Sequence, residues 1–194
     1  MNAISPEAVL YLAICWVLGS LLWARVLGSA LGADPTSEGS GNPGARNAGR
    51  LFGASAFFIV FAGDALKGAA AVVAGRYLGH PEWLVAAGGA IAVLGHVFPL
   101  SGKGGKGVSA FVGAALAFSP VAFIGYAVGT AAALLPLRSA TLAMPGGFAA
   151  WTAALWFSGL LPASWPLLLA GSLVLIRHHS DFADAIRRRQ TLFD

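Results

Sequence analysis

Apolar residues come in long runs along this chain, separated by short polar loops. The first run, "AVLYLAICWVLGSLLWARVL" (Ala8 to Leu27), is about 20 residues long, enough to cross roughly 30 Å of hydrocarbon as a helix. No basic stretch precedes it and no cleavage-like end follows, so it reads as a retained spanning helix rather than a signal peptide. Leu51 to Gly75 is long enough to span but carries Asp64 and Lys67. Glu82 to Phe98 forms a third run, and Val108 to Leu137 is too long for one straight helix. Ser119-Pro120 divides it, because proline lacks the backbone donor and clashes with the preceding turn. The first piece, Val108 to Phe118, reaches only about 16 Å, so it must lie in a protein-lined or thinned region. Pro145 to Leu161 and Ser164 to Ile176 follow, separated by Pro162, and a polar segment predicted to be helical ends the chain. The pattern predicts an all-α integral membrane protein of about seven transmembrane helices, several short or interrupted, forming a single domain over residues 1–194.

The positions of the charges orient this bundle. If successive loops alternate sides, Arg25, Arg46, Arg50, Lys103, Lys106, Arg138, Arg177, Arg187, Arg188 and Arg189 fall together, ten of the 12 basic residues. Arg76 alone falls opposite, and Lys67 lies within a span. The excess of Lys and Arg in cytoplasmic loops then predicts an outside N-terminus and a cytoplasmic C-terminus, and an even number of spans would scatter these loops. Trp16, Trp23, Trp83, Trp151 and Trp165 lie near span ends, as interfacial aromatic belts would have them. Composition agrees: 57% of residues are hydrophobic and only 10% charged, where a soluble domain would carry about a quarter. One cysteine, Cys15, excludes an internal disulfide framework.

Three polar clusters fall on the predicted cytoplasmic side: "GSGNPGARNAGR", "GHVFPLSGKGGKG" and "IRHHSD". In the first, Ser40, Asn42 and Asn47 offer neutral hydrogen bonds, Arg46 and Arg50 offer cations, and Gly39, Gly41 and Gly44 allow backbone N–H groups to point inward as an anion nest. In the second, Gly102, Gly104, Gly105 and Gly107 surround Lys103 and Lys106 just before a helix start, where the dipole favours phosphate. Each cluster taken alone also fits solvated loops with ordinary topology charge. "GKGGKG" is not a Walker loop, which excludes nucleotide hydrolysis of that kind. No Cys/His/carboxylate set has metal-ligand spacing; no metal, cofactor or nucleic-acid partner is expected. Asp64 and Lys67, three apart, share a helix face and read as a buried pair that bridges helices. His96 ends its span, either hydrogen-bonding the helix end or taking a catalytic or positioning role. His178 and His179 point about 100° apart on a helix and cannot both serve one site. Arg187, Arg188 and Arg189 read as an anchor to anionic headgroups.

"GSGNPGARNAGR", "GDALKG", "GHVFPLSGKGGKGVSA" and "IRHH", in this order on seven apolar segments, resemble the bacterial acyl-phosphate:glycerol-3-phosphate acyltransferases (PlsY) over nearly the whole chain. The resemblance implies an enzyme of the bacterial inner membrane, with its active site on the cytoplasmic side. It would transfer a fatty acyl group from acyl phosphate to the sn-1 hydroxyl of glycerol 3-phosphate, giving lysophosphatidic acid. By position it implies Ser40, Arg50, Lys106 and His178 as catalytic, and Gly39, Gly41, Asn42, Gly44, Asn47, His96, Lys103, Gly104, Gly105 and Asp181 as substrate-binding. The chain departs from the family pattern at Arg46 (usually Thr), His179 (usually Arg), Asp181 (usually Asn), in the short spacing from Pro99 to Lys103, and in the tail "RRRQTLFD". A relative acting on another phosphorylated acceptor, an inactive relative, and a small-anion transporter are the competing readings.

Overall fold

The computed structural model describes residues 5–190, which contain ten helices: α1 (Pro6–Ser20), α2 (Trp23–Leu31), α3 (Ala45–Phe52), α4 (Ala54–Tyr77), α5 (Glu82–Val97), α6 (Val108–Phe118), α7 (Pro120–Leu137), α8 (Ala140–Phe157), α9 (Leu161–Arg177) and α10 (His179–Gln190). Residues 191–194 of the tail segment lie outside the described residues. Three stretches are long and apolar enough to cross a membrane, Pro6–Leu31, Ala54–Tyr77 and Pro120–Leu137; α5, α6 and α9 are shorter apolar helices. Their outer faces are oily. Leu10 and Ile14 of α1, Phe58 and Leu66 of α4, and Val121, Ile124 and Val128 of α7 are each more than half exposed. Such contiguous apolar surface needs hydrocarbon rather than water beside it.

The first run is not one continuous helix. It breaks at Leu21 and Leu22, both in extended conformation, between α1 and α2. The sequence is equally apolar on both sides of the break, and the compensation comes from elsewhere in the chain. Lys67 of α4 donates to the freed Leu21 carbonyl at 2.6 Å, because an unpaired backbone oxygen in this environment would cost several kcal/mol. Lys67 also lies 2.9 Å from Asp64, and both side chains are buried, as the bridging-pair reading expected.

α6 meets its length problem by burial. It packs against α4, α5, α7 and α9, and Ala110, Phe111, Ala114, Ala115 and Phe118 are closed off. The α4–α6 contact is set by Gly68 and Gly113: a Cβ on either would lie 2.1 Å from Ala110 O or 1.8 Å from Ala65 O. Small residues thus let the backbones approach closely, the usual basis of helix association in lipid. The break before α7 falls at Ser119-Pro120 as expected, with the Ser119 hydroxyl accepting from Ala122 N at 3.2 Å.

Two prolines act differently from the sequence expectation. α8 starts at Ala140, capped by Ser139, and runs through Pro145; α9 starts at Leu161 and holds Pro162 in its first turn. A first-turn N–H has no intrahelical partner, so proline there begins a helix rather than separating two. Trp151 is another correction. It is fully buried, edge-on to Phe111 at 5.3 Å and to Phe148 at 6.1 Å, and belongs to the core instead of an interfacial belt.

Candidate active site

The polar stretch from Gly32 to Arg50 is half loop and half helix. Asp34 opens it, its carboxylate accepting from the Thr36 N–H at 2.9 Å and from the Thr36 hydroxyl. These bonds hold the carboxyl below its usual range. Asn47, in the first turn of α3, is buried and its amide is committed to the loop. Its nitrogen donates to Pro35 O at 3.0 Å and Glu38 O at 2.9 Å, while its oxygen accepts from Ser40 N–H at 2.8 Å. Gly39 and Gly41 take positive φ to wrap this amide, and a Cβ on Gly39 would lie 2.3 Å from Asn47 Oδ1. The Ser40, Gly41 and Gly44 N–H groups are therefore spent on Asn47, Glu38 and Asn42 oxygens. The inward-pointing nest expected from these glycines is replaced by a loop folded around Asn47. Its effect is to place the Ser40 side chain beside the start of α3.

The second loop ends at α6. Gly107 precedes the helix with φ 89° and sits within 3.1–3.2 Å, measured from an added Cβ, of Val174, Val97 and Val93. Only glycine combines that φ with that crowding. Gly104 and Gly105 serve close approach too: Gly105 N–H bonds His96 O at 3.0 Å, and a Cβ on Gly105 would meet His96 Nε2 at 2.1 Å. His96 is buried, with Nδ1 2.9 Å from Lys67 Nζ and 3.5 Å from Asp64. Lys103 points outward, donating to Thr36 O at 3.2 Å, and Arg25 donates to Ser101 O at 2.5 Å. Both bonds fasten the second loop to the first region of the chain.

The third cluster lies where α9 passes into α10. His178 Nδ1 donates to Val174 O at 2.7 Å, which leaves the Nε2 lone pair free on a neutral ring. Burial pushes this imidazole below its ordinary pKa; the Val174 carbonyl and Asp181 oppose the shift, and the Lys106 and Arg46 cations add to it. Asp181 Oδ2 pairs with Lys106 Nζ and lies 3.7 Å from His178 Nε2. His179 turns away, exposed, toward Ile176 O.

These segments share one cavity of about 500 Å³. Ser40, Asn42, Gly44, Asn47, Arg50, His96, Lys106, His178 and Asp181 lie on its wall. Gly39, Gly41, Lys103, Gly104 and Gly105 do not; they hold the loops that form it. Reading the residues alone left several wall positions out. Arg46, in sequence a loop cation outside the implied site residues, lines the wall and reaches Thr141 Oγ1 at 3.4 Å. Ser109 stands in the first turn of α6, where an N-terminal serine after the glycines was a usable signal. Phe57 and Phe61 of α4, Thr130 of α7 and Met144 of α8 form an apolar side that no local pattern marks. Asp181 is the one carboxylate among the described residues on this wall, facing Arg46, Arg50 and Lys106. With the N-terminal turn of α6 also opening here, the cavity is built to hold oxyanions against an oily flank, and His178 Nε2 can accept a hydroxyl proton.

Comparison with known proteins gives the same direction. The model of the glycerol-3-phosphate acyltransferase family matches residues 9–188. A Neisseria meningitidis protein named glycerol-3-phosphate acyltransferase is 36% identical over 92% of this chain and 93% of its own length. Bacillus cereus glycerol-3-phosphate acyltransferase 1 is 41% identical, over 59% of this chain and 65% of the relative's length. The crystal structure of PlsY, an integral membrane glycerol 3-phosphate acyltransferase, in its glycerol 3-phosphate form superposes with a TM-score of 0.84 at 28% identity, covering 97% of this chain and 100% of that one. Its lysophosphatidic acid form gives 0.83 over 94% of this chain and 93% of that one. The all-helical bundle, its oily exterior and these matches place the chain in the membrane, and it belongs to the glycerol-3-phosphate acyltransferase family.

Proposed function

We propose that this chain is an acyltransferase that moves a fatty acyl group from acyl phosphate to the sn-1 hydroxyl of glycerol 3-phosphate, at the cytoplasmic face of the bacterial inner membrane. The observation that carries this is the common cavity. Arg50, Lys106 and His178, far apart in sequence, line one hollow together with Phe57, Phe61 and Met144. Its volume of about 500 Å³ is in the range of small-ligand sites. Both substrates bring a phosphate and one brings a chain from the bilayer, which is what a cationic hollow with an apolar flank accommodates. The positive-inside distribution of Lys and Arg supports the cytoplasmic placement.

In the reaction the acceptor oxygen attacks the acyl carbonyl carbon, forming the new C–O ester bond. The carbonyl-to-phosphate C–O bond breaks, and the hydroxyl proton leaves with the phosphate as hydrogen phosphate. His178 Nε2, held neutral, orients the hydroxyl by accepting its hydrogen bond. Arg50, Arg46, Lys106 and the α6 N-terminus balance the phosphate charges, and Ser40 stands beside them to orient the anhydride. Acyl phosphates are already activated, so positioning and charge stabilisation provide most of the rate. Purified protein in nanodiscs, given palmitoyl phosphate and labelled glycerol 3-phosphate, is expected to form lysophosphatidate. Folded protein that forms none overturns the proposal.

A further inference from the structure

Beside the reaction cavity lies a larger hollow of about 930 Å³. Ser40, Arg46, Arg50 and Asp181 belong to both walls, so the two spaces are contiguous. To Arg46 and Arg50 this hollow adds Arg138, from the α7–α8 turn, and Arg188 and Arg189, from α10. Leaving Arg188 aside, two carboxylates oppose the four guanidinium groups of Arg46, Arg50, Arg138 and Arg189. Asp181 pairs with Lys106, and Asp184 lies 3.5 Å from Arg187. The lining therefore keeps a net excess of positive charge that calls for an anion.

Arg138 carries an independent sign. It is the one non-glycine among the described residues with positive φ, at 48°. That left-handed conformation, at the C-cap of α7, suits Gly or Asn better than a long side chain. Arg189 donates to Pro136 O at 3.4 Å and so holds α10 over the end of α7.

The level of this hollow in the membrane indicates the anion. Only 11% of the most apolar window of α7 is buried, so that helix lies against lipid. It ends at the hollow, where Leu135 is 80% exposed on the rim. Arginines at the end of a lipid-facing helix stand at headgroup height, with hydrocarbon on the leucine side. A free phosphate would use the arginines alone; a phosphomonoester bearing an acyl chain uses the arginines and, past Leu135, the hydrocarbon beside them.

We propose that this hollow is a second phosphate station, holding the headgroup of a lysophosphatidate between the reaction cavity and the bilayer. It rests on the acyltransferase reading for the identity of the lipid, and it is tested by binding rather than turnover. Full-length protein in phosphatidylcholine nanodiscs is titrated with labelled lysophosphatidate, with binding to empty nanodiscs subtracted. Wild type is expected to take two saturable equivalents. Arg138→Asn with Arg189→Gln is expected to take one, because the second weakens by about tenfold or more once two charge-assisted bonds are lost. Its initial rate of acyl transfer is expected to stay within about twofold of wild type, neither residue lining the reaction cavity. Asn accepts the left-handed conformation, so the variant folds; the R138K/R189K pair, which keeps the charge, is expected to retain both equivalents. Lys106→Gln is expected to lose the cavity equivalent and keep the station. A protein that forms no lysophosphatidate yet shows an Arg138-dependent equivalent would retire the acyltransferase reading and leave the station standing. One equivalent in wild type, or two that ignore Arg138 and Arg189, overturns the station. Inorganic phosphate or glycerol 3-phosphate displacing the lipid from it at equal concentration overturns its assignment to a lipid.

Discussion

Asp181 shows how one side chain can oppose and support a site at once. Its carboxylate sits among the cavity's cations, paired with Lys106 and 3.7 Å from His178 Nε2. On the proposed function it balances charge that a substrate phosphate would balance, so phosphate must displace it from Lys106. Asp181→Asn is expected to lower the KM for glycerol 3-phosphate about fivefold, the worth of one half-buried ion pair, with kcat little changed. Steady-state kinetics check this, and a raised KM would instead make Asp181 a holder of Lys106. His178 gives a pH test with a definite sign. Burial lowers its folded pKa below the ordinary 6.5 or so, so the ring stays neutral under mildly acid conditions. Activity is expected to persist below that value and to fall only as pH drops through the lowered pKa. By linkage the unfolded chain binds the extra proton first, so stability also declines from about pH 6.5 downward. Lys106→Met removes a cation that presses this pKa down, and the acid limb of kcat/KM is expected to move to higher pH. Arg50→Ala is expected to cut acyl transfer by a hundredfold or more, about 2.7 kcal/mol, with the protein still folded by size-exclusion profile.

Elements in this bundle are fixed partly by the local pattern and partly by partners far along the chain. The bounds of α5, the end of α4 and the break at Ser119-Pro120 are legible because Gly, Pro and charge mark them in the sequence. The start of α4 is not legible: Leu51 and Phe52, read as the opening of that run, end α3, and Gly53 with φ 91° separates the two helices. The break between α1 and α2 is not, since Leu21 and Leu22 look like any other pair of leucines. It exists because Lys67, 46 positions away, supplies the missing donor. α3 was equally hidden: "GARNAGR" reads as loop by its glycines, and its first turn is secured by Asn47 bonding backward to Pro35 and Glu38. Trp151 misled because position near a run's middle or end says nothing of which face it occupies. The buried Asp64–Lys67 pair gives the prediction at this scale. Lys67→Met leaves Asp64 without its partner and Leu21 O unbonded, and is expected to destabilise the protein by about 3–5 kcal/mol. Asp64→Leu added to it is expected to recover part of that loss, because no buried charge then stands alone. Thermal unfolding in detergent reads both variants, and a milder single than double mutant would refute the pairing.

Across the whole molecule, loops that are far apart in sequence meet at one end of the bundle. The sequence made this meeting readable as a shared side, through the basic residues, and as a family resemblance, through the motif order. It could not show which motif residues face the cavity and which only hold the loops. Lys103 and Lys106 look alike in "GKGGKG", yet one fastens Thr36 and the other lines the cavity. Nor could it show the apolar flank of Phe57, Phe61 and Met144, which helix packing assembles. On the proposed function, Arg50, Lys106 and His178 together hold substrate phosphate and acceptor hydroxyl. The direct measurement is a crystal structure of the chain with glycerol 3-phosphate. The phosphate is expected within hydrogen-bonding distance of Arg50 and Lys106, and a glycerol hydroxyl facing His178 Nε2. Glycerol 3-phosphate bound away from these three side chains would contradict it.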